Sequence, residues 1–407
     1  MVEDDRVYGW KEIAAYLGYS ERTAQNYEKA WGLRVERQPG ERGRVSASKS
    51  DLDKWKAKFE AAGGEPREAA VEKPRRWYWG AAAGLVFACL GLIGLSFHLV
   101  PDRVRLEGSA FVVVDERGRE AFRAPFVREL QREDYSGDAR GALTLVEDID
   151  GDGEREVLII SAMKGEASDL LHCYKASGEL KWEYKIDSPV RTRNGDPYEG
   201  RFILWGMVLL PGPGGTKKLL VSGVHRVYFP SVLAVLDAKG REERRLLHSG
   251  HLQRLLVQRL ADGREWLLAG GTNNSTHEAT LLMLDPETFS GVVPEEAAGF
   301  AIVGPKAVGL HKRFRFPRSK VGLKLAPMNV VYSIRSFEKE IVIGVREDVR
   351  ADGKAEILYH FDKRLQHQET AAANWMEPFH GEALSKGLLA KPFSWLEFRR
   401  MRPLEVR

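Results

Sequence analysis

The sequence predicts a multidomain protein with three unlike parts: a small α-rich N-terminal domain, a single transmembrane α-helix and an all-β C-terminal domain of about five repeated sheets. Three observations predict this order. Helical patterning dominates residues 1–60, an uncharged apolar run of 24 residues covers Trp77–Val100, and short apolar strands separated by turn residues recur from residue 101 to residue 407.

Composition constrains the function only weakly. A formal net charge of +4 over 407 residues is too small to indicate one class of partner. Cys89 lies inside the apolar run and Cys173 lies far beyond it, so we expect no intrachain disulfide. The fold must therefore rely on packing.

Residues 7–33 predict two short helices joined by a tight turn. Ile13 and Leu17 fall on one face of the first helix, and Gly18 follows as a C-terminal stop. Ser20 is a candidate N-cap for the second helix, in which Ala24 should pack inward. This packing turns outward four residue types that suit base edges and phosphates, namely Arg22, Gln25, Asn26 and Lys29.

A hairpin-like stretch at Val35–Val45 and a third helix opened by Ser50 complete the N-terminal pattern. The whole pattern, from Gly9 to Leu33 and through the closing helix, resembles the bacterial winged helix-turn-helix of the MerR/excisionase type over residues 6–60. In that family the second helix enters the major groove and the wing contacts the DNA backbone. The residues that this resemblance implies as DNA-binding are Ser20, Arg22, Thr23, Gln25, Asn26, Lys29, Arg37, Arg42 and Arg44.

The local charge favours a polyanionic partner. Residues 6–58 contain 12 basic and 7 acidic residues, a net charge of +5. The alternative is a small helical domain that binds a protein and whose charged side chains are merely solvated.

A Gly/Pro/Ala/Glu-rich linker, residues 61–76, leads into the apolar run. A helix of 24 residues at about 1.5 Å per residue spans a bilayer core of roughly 30 Å. Lys73, Arg75 and Arg76 precede the run and favour a cytoplasmic N-terminus in the inner membrane, with the C-terminal domain outside the cytoplasm. A face of small residues predicts a homodimer through Gly80, Gly84 and Ala88.

The segment Asp148–Glu156 has the spacing of a calcium loop. It offers carboxylates at positions 1, 3, 5 and 9, a glycine at position 6 and a backbone carbonyl at position 7. Position 12 is Ile159 and a strand follows, so an EF-hand is not predicted. An acidic surface hairpin that binds no ion strongly is the alternative. The predicted calcium ligands are Asp148, Asp150, Asp152, Glu154 through its carbonyl, and Glu156.

Repeats indicate one architecture for the whole C-terminal domain. Three turn glycines each precede an apolar strand, and 22 residues later each reaches a second turn; the pairs are Gly153 with Lys175, Gly215 with Asp237, and Gly263 with Asp285. With the acidic loop, these units resemble FG-GAP/VCBS-type β-propeller repeats and also have a quinoprotein-like flavour. The resemblance implies about five blades and one calcium site. We expect Phe393–Arg407 to close the ring on residues 110–123.

Two further signals have ordinary interpretations. His248 and His251 are expected to be loop residues rather than metal ligands, and the basic stretch 311–316 is expected to be a half-exposed strand. The sequence contains no nucleophile motif, so an enzyme is not predicted.

The leading hypothesis is a membrane-anchored transcription regulator whose cytoplasmic DNA-binding domain is coupled to a calcium-binding propeller that senses an unknown ligand or protein. The alternative is an envelope adhesion or ligand-binding propeller that an N-terminal protein-interaction domain tethers.

Overall fold

The computed structural model describes two compact units, Met1–Gly91 and Leu92–Arg407. The residues that it describes are 5–19, 21–37, 45–61, 99–126, 130, 135, 141–162, 169–187, 189–193, 195, 197–198, 202–225, 230–295, 297–304, 306–347 and 354–406.

The N-terminal unit combines helices with a small sheet of order β1-β3-β2. Gly18 ends the first helix in the left-handed conformation, which glycine adopts at little cost. Ile13, Leu17 and Leu52 share one apolar cluster that joins the helices to the sheet. The elements are β1 (Arg6–Tyr8), α1 (Trp10–Leu17), α2 (Glu21–Trp31), β2 (Glu36–Arg37), β3 (Val45–Ser48) and α3 (Lys49–Ala61).

The predicted fold class was wrong. The described residues are mostly β-sheet in several separate sheets, rather than an α-rich winged helix-turn-helix, a transmembrane helix and a closed propeller. In the N-terminal unit the central strand β3 buries Val45 and Ala47 in the core, so this sheet belongs to the interior of the unit.

The predicted membrane span is not supported. None of the helices that the structure describes is long and apolar enough to cross a bilayer, which does not support the predicted single-pass topology and inner-membrane location. Residues 62–98 lie outside the described residues. They include nearly all of the apolar run and the predicted dimer face, Gly80, Gly84 and Ala88.

Five sheets of three or more strands follow one another along the described part of the C-terminal unit, together with one two-stranded sheet. The first contains β4 (Arg103–Glu107), β5 (Ala110–Val114) and β6 (Glu120–Pro125), and the second contains β7 (Thr144–Glu147), β8 (Glu156–Ser161), β9 (Leu170–Tyr174) and β10 (Leu180–Tyr184). A two-stranded sheet of β11 (Val190–Arg191) and β12 (Pro197–Tyr198) comes next in sequence. The third sheet contains β13 (Phe202–Pro211), β14 (Lys217–His225), β15 (Ser231–Leu236), β16 (Glu242–His248) and β20 (Gly291–Val292).

The fourth sheet contains β17 (Leu252–Arg259), β18 (Glu265–Asn273), β19 (Glu278–Leu284), β21 (Lys312–Phe316) and β26 (Leu404–Val406). The fifth contains β22 (Val330–Ser336), β23 (Glu340–Arg346), β24 (Glu356–Asp362) and β25 (His367–Ala372). The α-helices of this unit in the described residues are α4 (Gly322–Leu325), α5 (Met376–Ser385) and α6 (Trp395–Arg399), and two short 3-10 helices lie at Pro213–Gly215 and Ala298–Phe300.

Successive sheets stack face to face. On β8, Val157 packs in one cluster with Phe111 of the first sheet. The next residue, Leu158, packs in another cluster with Val221 of the third sheet. Because both faces of β8 are covered, its sequence is continuously apolar from Val157 to Ile160 instead of alternating.

The repeated turns have a common geometry. The Oδ1 atom of Asp237 accepts hydrogen bonds from the backbone N–H groups of Lys239 and Arg241, both at 2.9 Å. Asp115 and Asp362 make the equivalent bonds to their own turns. The turn glycines predicted from the repeat adopt positive φ angles, namely Gly153, Gly215 and Gly263.

Three of the repeated turns begin at Asp115, Lys175 and Asp237. In each case the side chain seven residues later contacts the turn of the following sheet. Trp182 lies on Gly240, and its Nε1 donates a hydrogen bond of 3.0 Å to the carbonyl of Ala238. A side chain at Gly240 would clash with this indole ring. The three contacts are Phe122 on Gly178, Trp182 on Gly240, and the Arg244 guanidinium 5.4 Å from the ring centroid of Phe289.

The predicted ring closure was wrong. Trp395–Arg399 is a helix, and β26 pairs with β21 of the fourth sheet through Phe314 and Glu405. In the described residues the first sheet has three strands and gains none from the C-terminus. The C-terminal residues Leu404–Val406 do form a strand, but this strand pairs with the edge of β21 instead of with the first sheet.

We predict that Gly240→Ala destabilises the protein more than Gly263→Ala does. The two glycines have similar φ angles, +76° and +79°, so both variants incur about 1–2 kcal/mol of backbone strain. At Gly240 the new Cβ would also lie 2.5 Å from the Trp182 ring, whereas at Gly263 it would meet nothing within 4 Å. Overpacking should add about 1–3 kcal/mol. Urea unfolding of both variants measures the difference, and equal losses would contradict the stacking contact.

Candidate nucleic-acid face and acidic turn

Helix α2 has a buried face that fixes its orientation. Ala24 is fully buried in the N-terminal unit. The ring centroid of Tyr27 lies 5.3 Å from that of Trp55 and 4.9 Å from that of Phe59. These aromatic contacts attach α2 to α3, so the opposite face of α2 is held outward by packing.

The outward face of α2 carries basic side chains. Arg22 and Lys29 are both exposed, and they lie seven residues apart, which places them on the same side of the helix two turns from each other. Gln25 lies between them and is half-buried. This arrangement of two cations with an amide can contact phosphates and base edges.

The structure describes only some of the other predicted DNA-binding residues. Thr23 and Asn26 lie within α2. Ser20, Arg42 and Arg44 lie outside the described residues. The described face of the unit therefore consists of Arg22, Gln25, Lys29 and Arg37.

Arg37 is paired with Glu28 of α2. Its Nη1 and Nη2 atoms donate to the two carboxylate oxygens of Glu28 at 2.6 and 2.9 Å. These hydrogen bonds raise the pKa of Arg37. The guanidinium can contact a phosphate only by leaving Glu28 or by sharing its donors.

The predicted calcium loop is a tight turn between β7 and β8. The two carboxylate oxygens of Asp148 accept the backbone N–H groups of Gly151 and Gly153 at 2.7 and 2.9 Å. Asp152 accepts the N–H of Glu154 at 2.8 Å. The aspartates thus organise the backbone of the turn as well as supplying negative charge.

Three of the predicted ligands come together. Ligand atoms of Asp148, Asp150 and Glu156 lie within 4.8 Å of one another, while the side chain of Asp152 is not part of this group. Glu156 is 2% exposed, and one of its oxygens accepts the N–H of Ile149 at 3.0 Å. A buried carboxylate in such a group needs a cation nearby.

Lys181 supplies that cation. Its Nζ lies 2.6 Å from Asp150 Oδ2 and 2.9 Å from Glu156 Oε1. Burial alone would lower the pKa of Lys181, but the hydrogen bonds to Asp150 and Glu156 outweigh burial and raise the pKa. The same hydrogen bond lowers the pKa of Asp150. Sequence reasoning missed Lys181 because it lies 25 residues beyond Glu156, on β10.

His248 and His251 behave as structural histidines. Burial lowers the pKa of His248 to about 3 and that of His251 to about 4. Both rings are thus neutral at pH 7, and His248 Nδ1 lies 3.1 Å from the carbonyl of Gly250. Neither belongs to a metal-binding group in the part of the chain that the structure describes.

Lys312–Phe316 forms the predicted strand, but the expected half-exposed alternation was wrong: neighbouring Arg313 and Phe314 are both buried and no residue of the strand is exposed. Arg313 is buried and donates to the carbonyl of Pro294 at 3.0 Å. Arg315 Nη2 lies 2.8 Å from Glu278. These two arginines are committed to the fourth sheet and its connections.

Comparison with known proteins gives no relative: no family model matches the chain, and no curated protein matches it. The assignments to the MerR/excisionase type and to an FG-GAP/VCBS-like, quinoprotein-like propeller were therefore not supported. Function has to be argued from the chemistry of the described residues.

We predict that Lys181→Met lowers the free energy of unfolding by about 1–3 kcal/mol at neutral pH, because Glu156 loses its buried counter-ion. The depressed pKa of Asp150 contributes stability that is present above its unfolded value and is lost as pH falls through the folded pKa. The raised pKa of Lys181 contributes stability that is lost only at strongly alkaline pH. The deficit of the variant should therefore shrink below about pH 4, where carboxylates are protonated.

Urea unfolding between acidic and neutral pH measures this dependence. Lys185→Met is the matched control, since Lys185 forms an exposed pair with Asp187 at 3.1 Å and should contribute less than about 0.5 kcal/mol. A pH-independent loss in Lys181→Met would show that its aliphatic packing, rather than its charge, stabilises the turn.

Proposed function

We propose that the N-terminal unit binds DNA through the exposed face of α2 and that the protein regulates transcription. The observation that supports this proposal is the pairing of a packed inner face, built on Ala24 and Tyr27, with Arg22 and Lys29 on the outer face. The net charge of +5 over residues 6–58 adds long-range attraction to a polyanion.

In binding by α2, its side chains would make different contacts with the DNA. Arg22 and Lys29 are two turns apart, about 10 Å along the helix axis, which suits contacts on both sides of a groove. Gln25 lies between them and offers both a donor and an acceptor. Glu28 would compete with a DNA phosphate for the guanidinium of Arg37, because the same donors serve both partners.

We predict that Arg22→Ala weakens binding of the full chain to a random-sequence duplex by about five- to tenfold and lowers the slope of log affinity against log salt by about one. Fluorescence anisotropy at several salt concentrations measures both quantities. Lys58→Ala, an exposed lysine on α3, is the control with the same loss of charge.

A second variant tests the competitor. Glu28→Gln removes the negative partner of Arg37, so DNA affinity should rise if Arg37 contacts phosphate. If Arg22→Ala and Lys58→Ala reduce affinity equally, α2 has no special role. If the full chain binds no duplex, the N-terminal unit is better explained as a protein-interaction domain.

A second candidate function is calcium binding at the acidic turn, supported by the convergence of Asp148, Asp150 and Glu156. Calcium takes six to eight oxygen ligands, and the turn offers carboxylates and backbone carbonyls within one short segment. The ammonium of Lys181 lies against two of the three carboxylates, so an ion would have to displace it.

We predict that Lys181→Met binds calcium about tenfold more tightly than the native protein, because the competing ammonium is removed. Titration calorimetry with calcium chloride measures the affinity. Adding Asp150→Asn to this variant should abolish the gain. Absence of calcium binding in both the native protein and Lys181→Met would exclude the turn as a calcium site.

A further inference from the structure

A basic cavity lies between the segment that follows β21 and the C-terminal segment around α6. Its volume is about 500 Å³. Pockets for small molecules typically measure about 300–1,000 Å³. The cavity therefore has the size for a small organic ligand, and it lies apart in sequence from both α2 and the acidic turn.

The lining charges are strongly unbalanced. Four cationic side chains line the cavity against the single carboxylate of Glu397; the four are Arg318, Lys320, Lys391 and Arg400. Lys320 lies 3.9 Å from Glu397, a long and exposed pair. Lys391 and Arg400 remain without an ion-pair partner among the described residues, while Arg318 interacts electrostatically with the buried carboxylate of Glu347. Positive charges that converge on a concave surface concentrate anions there.

The wall that carries Arg318 is held in place by its own hydrogen bonds. Arg318 Nη2 donates to the backbone carbonyls of Gly322, at 2.8 Å, and Ala326. Its Nε is buried and has no acceptor among the described residues. The neighbouring Ser319 donates through Oγ to the buried Glu347 at 2.8 Å.

The opposite wall is fixed by the C-terminal strand. Beyond α6, β26 pairs with β21, and Thr370 Oγ1 donates a hydrogen bond of 2.8 Å to the carbonyl of Met401. The backbone on both sides of the cavity is thus held in place before any ligand arrives, which reduces the entropy cost of binding. Pro317, Leu396 and Met401 add apolar surface beside the cations.

We propose that this cavity binds a small organic molecule that carries phosphate groups. Arg400 and Lys391 contact the phosphate oxygens, Arg318 adds positive charge from the clamped wall, and the apolar residues contact the organic part. Guanidinium and ammonium groups are the usual protein partners of phosphate. The proposal does not depend on DNA binding by the N-terminal unit.

Titration calorimetry of the full chain with inorganic pyrophosphate tests the proposal. The native protein should bind, and the double variant Lys391→Ala/Arg400→Ala should bind about tenfold more weakly or less. The matched control is Lys239→Ala/Lys339→Ala, which removes two exposed lysines elsewhere and should leave pyrophosphate affinity within about twofold.

No binding of pyrophosphate to the native protein would overturn the proposal, and so would an equal loss of affinity in both double variants. Thermal unfolding checks that Lys391→Ala/Arg400→Ala is folded, which we expect because both residues are exposed. The same variant should keep its affinity for duplex DNA. Parallel loss of DNA and pyrophosphate binding would identify the cavity as part of a nucleic-acid surface instead, and would also overturn the proposal.

Discussion

The C-terminal unit depends on the contact that each of three early sheets makes with the turn of the next. Trp182 can lie on Gly240 only because that turn residue has no side chain and adopts a positive φ. This turn keeps its shape because Asp237 accepts hydrogen bonds from two of its backbone N–H groups. Stacking of the sheets thus depends on the shape of the turn, and the shape of the turn depends on residues that recur in the sequence repeat.

The acidic turn and the cavity show two opposite ways of managing charge. In the acidic turn, Lys181 neutralises the buried Glu156 from within the same sheet. In the cavity, Lys391 and Arg400 have no ion-pair partner among the described residues. Charges that the fold already satisfies stabilise the structure, whereas charges that it leaves uncompensated are available to a ligand.

The sequence predicts the local elements better than their assembly. The positive φ of Gly153 and the strand at 312–316 follow from residue type and alternation alone. The placement of the C-terminus could not be predicted, because Leu404–Val406 is equally compatible with several sheet edges. Lys181 and the Glu28–Arg37 pair were missed for the same reason: each joins residues that only the folded chain brings together.

The burial of β8 on both faces has a consequence for register. In a strand with one apolar face, a slip by one residue exposes that face to water, and the slip is strongly disfavoured. In Val157–Ile160 a slip exchanges one apolar face for another, so hydrophobicity alone gives little discrimination. The polar ends of the strand must then specify the alignment. Glu156 does so at one end of β8, because a slip would break its hydrogen bonds with the Ile149 N–H and with Lys181.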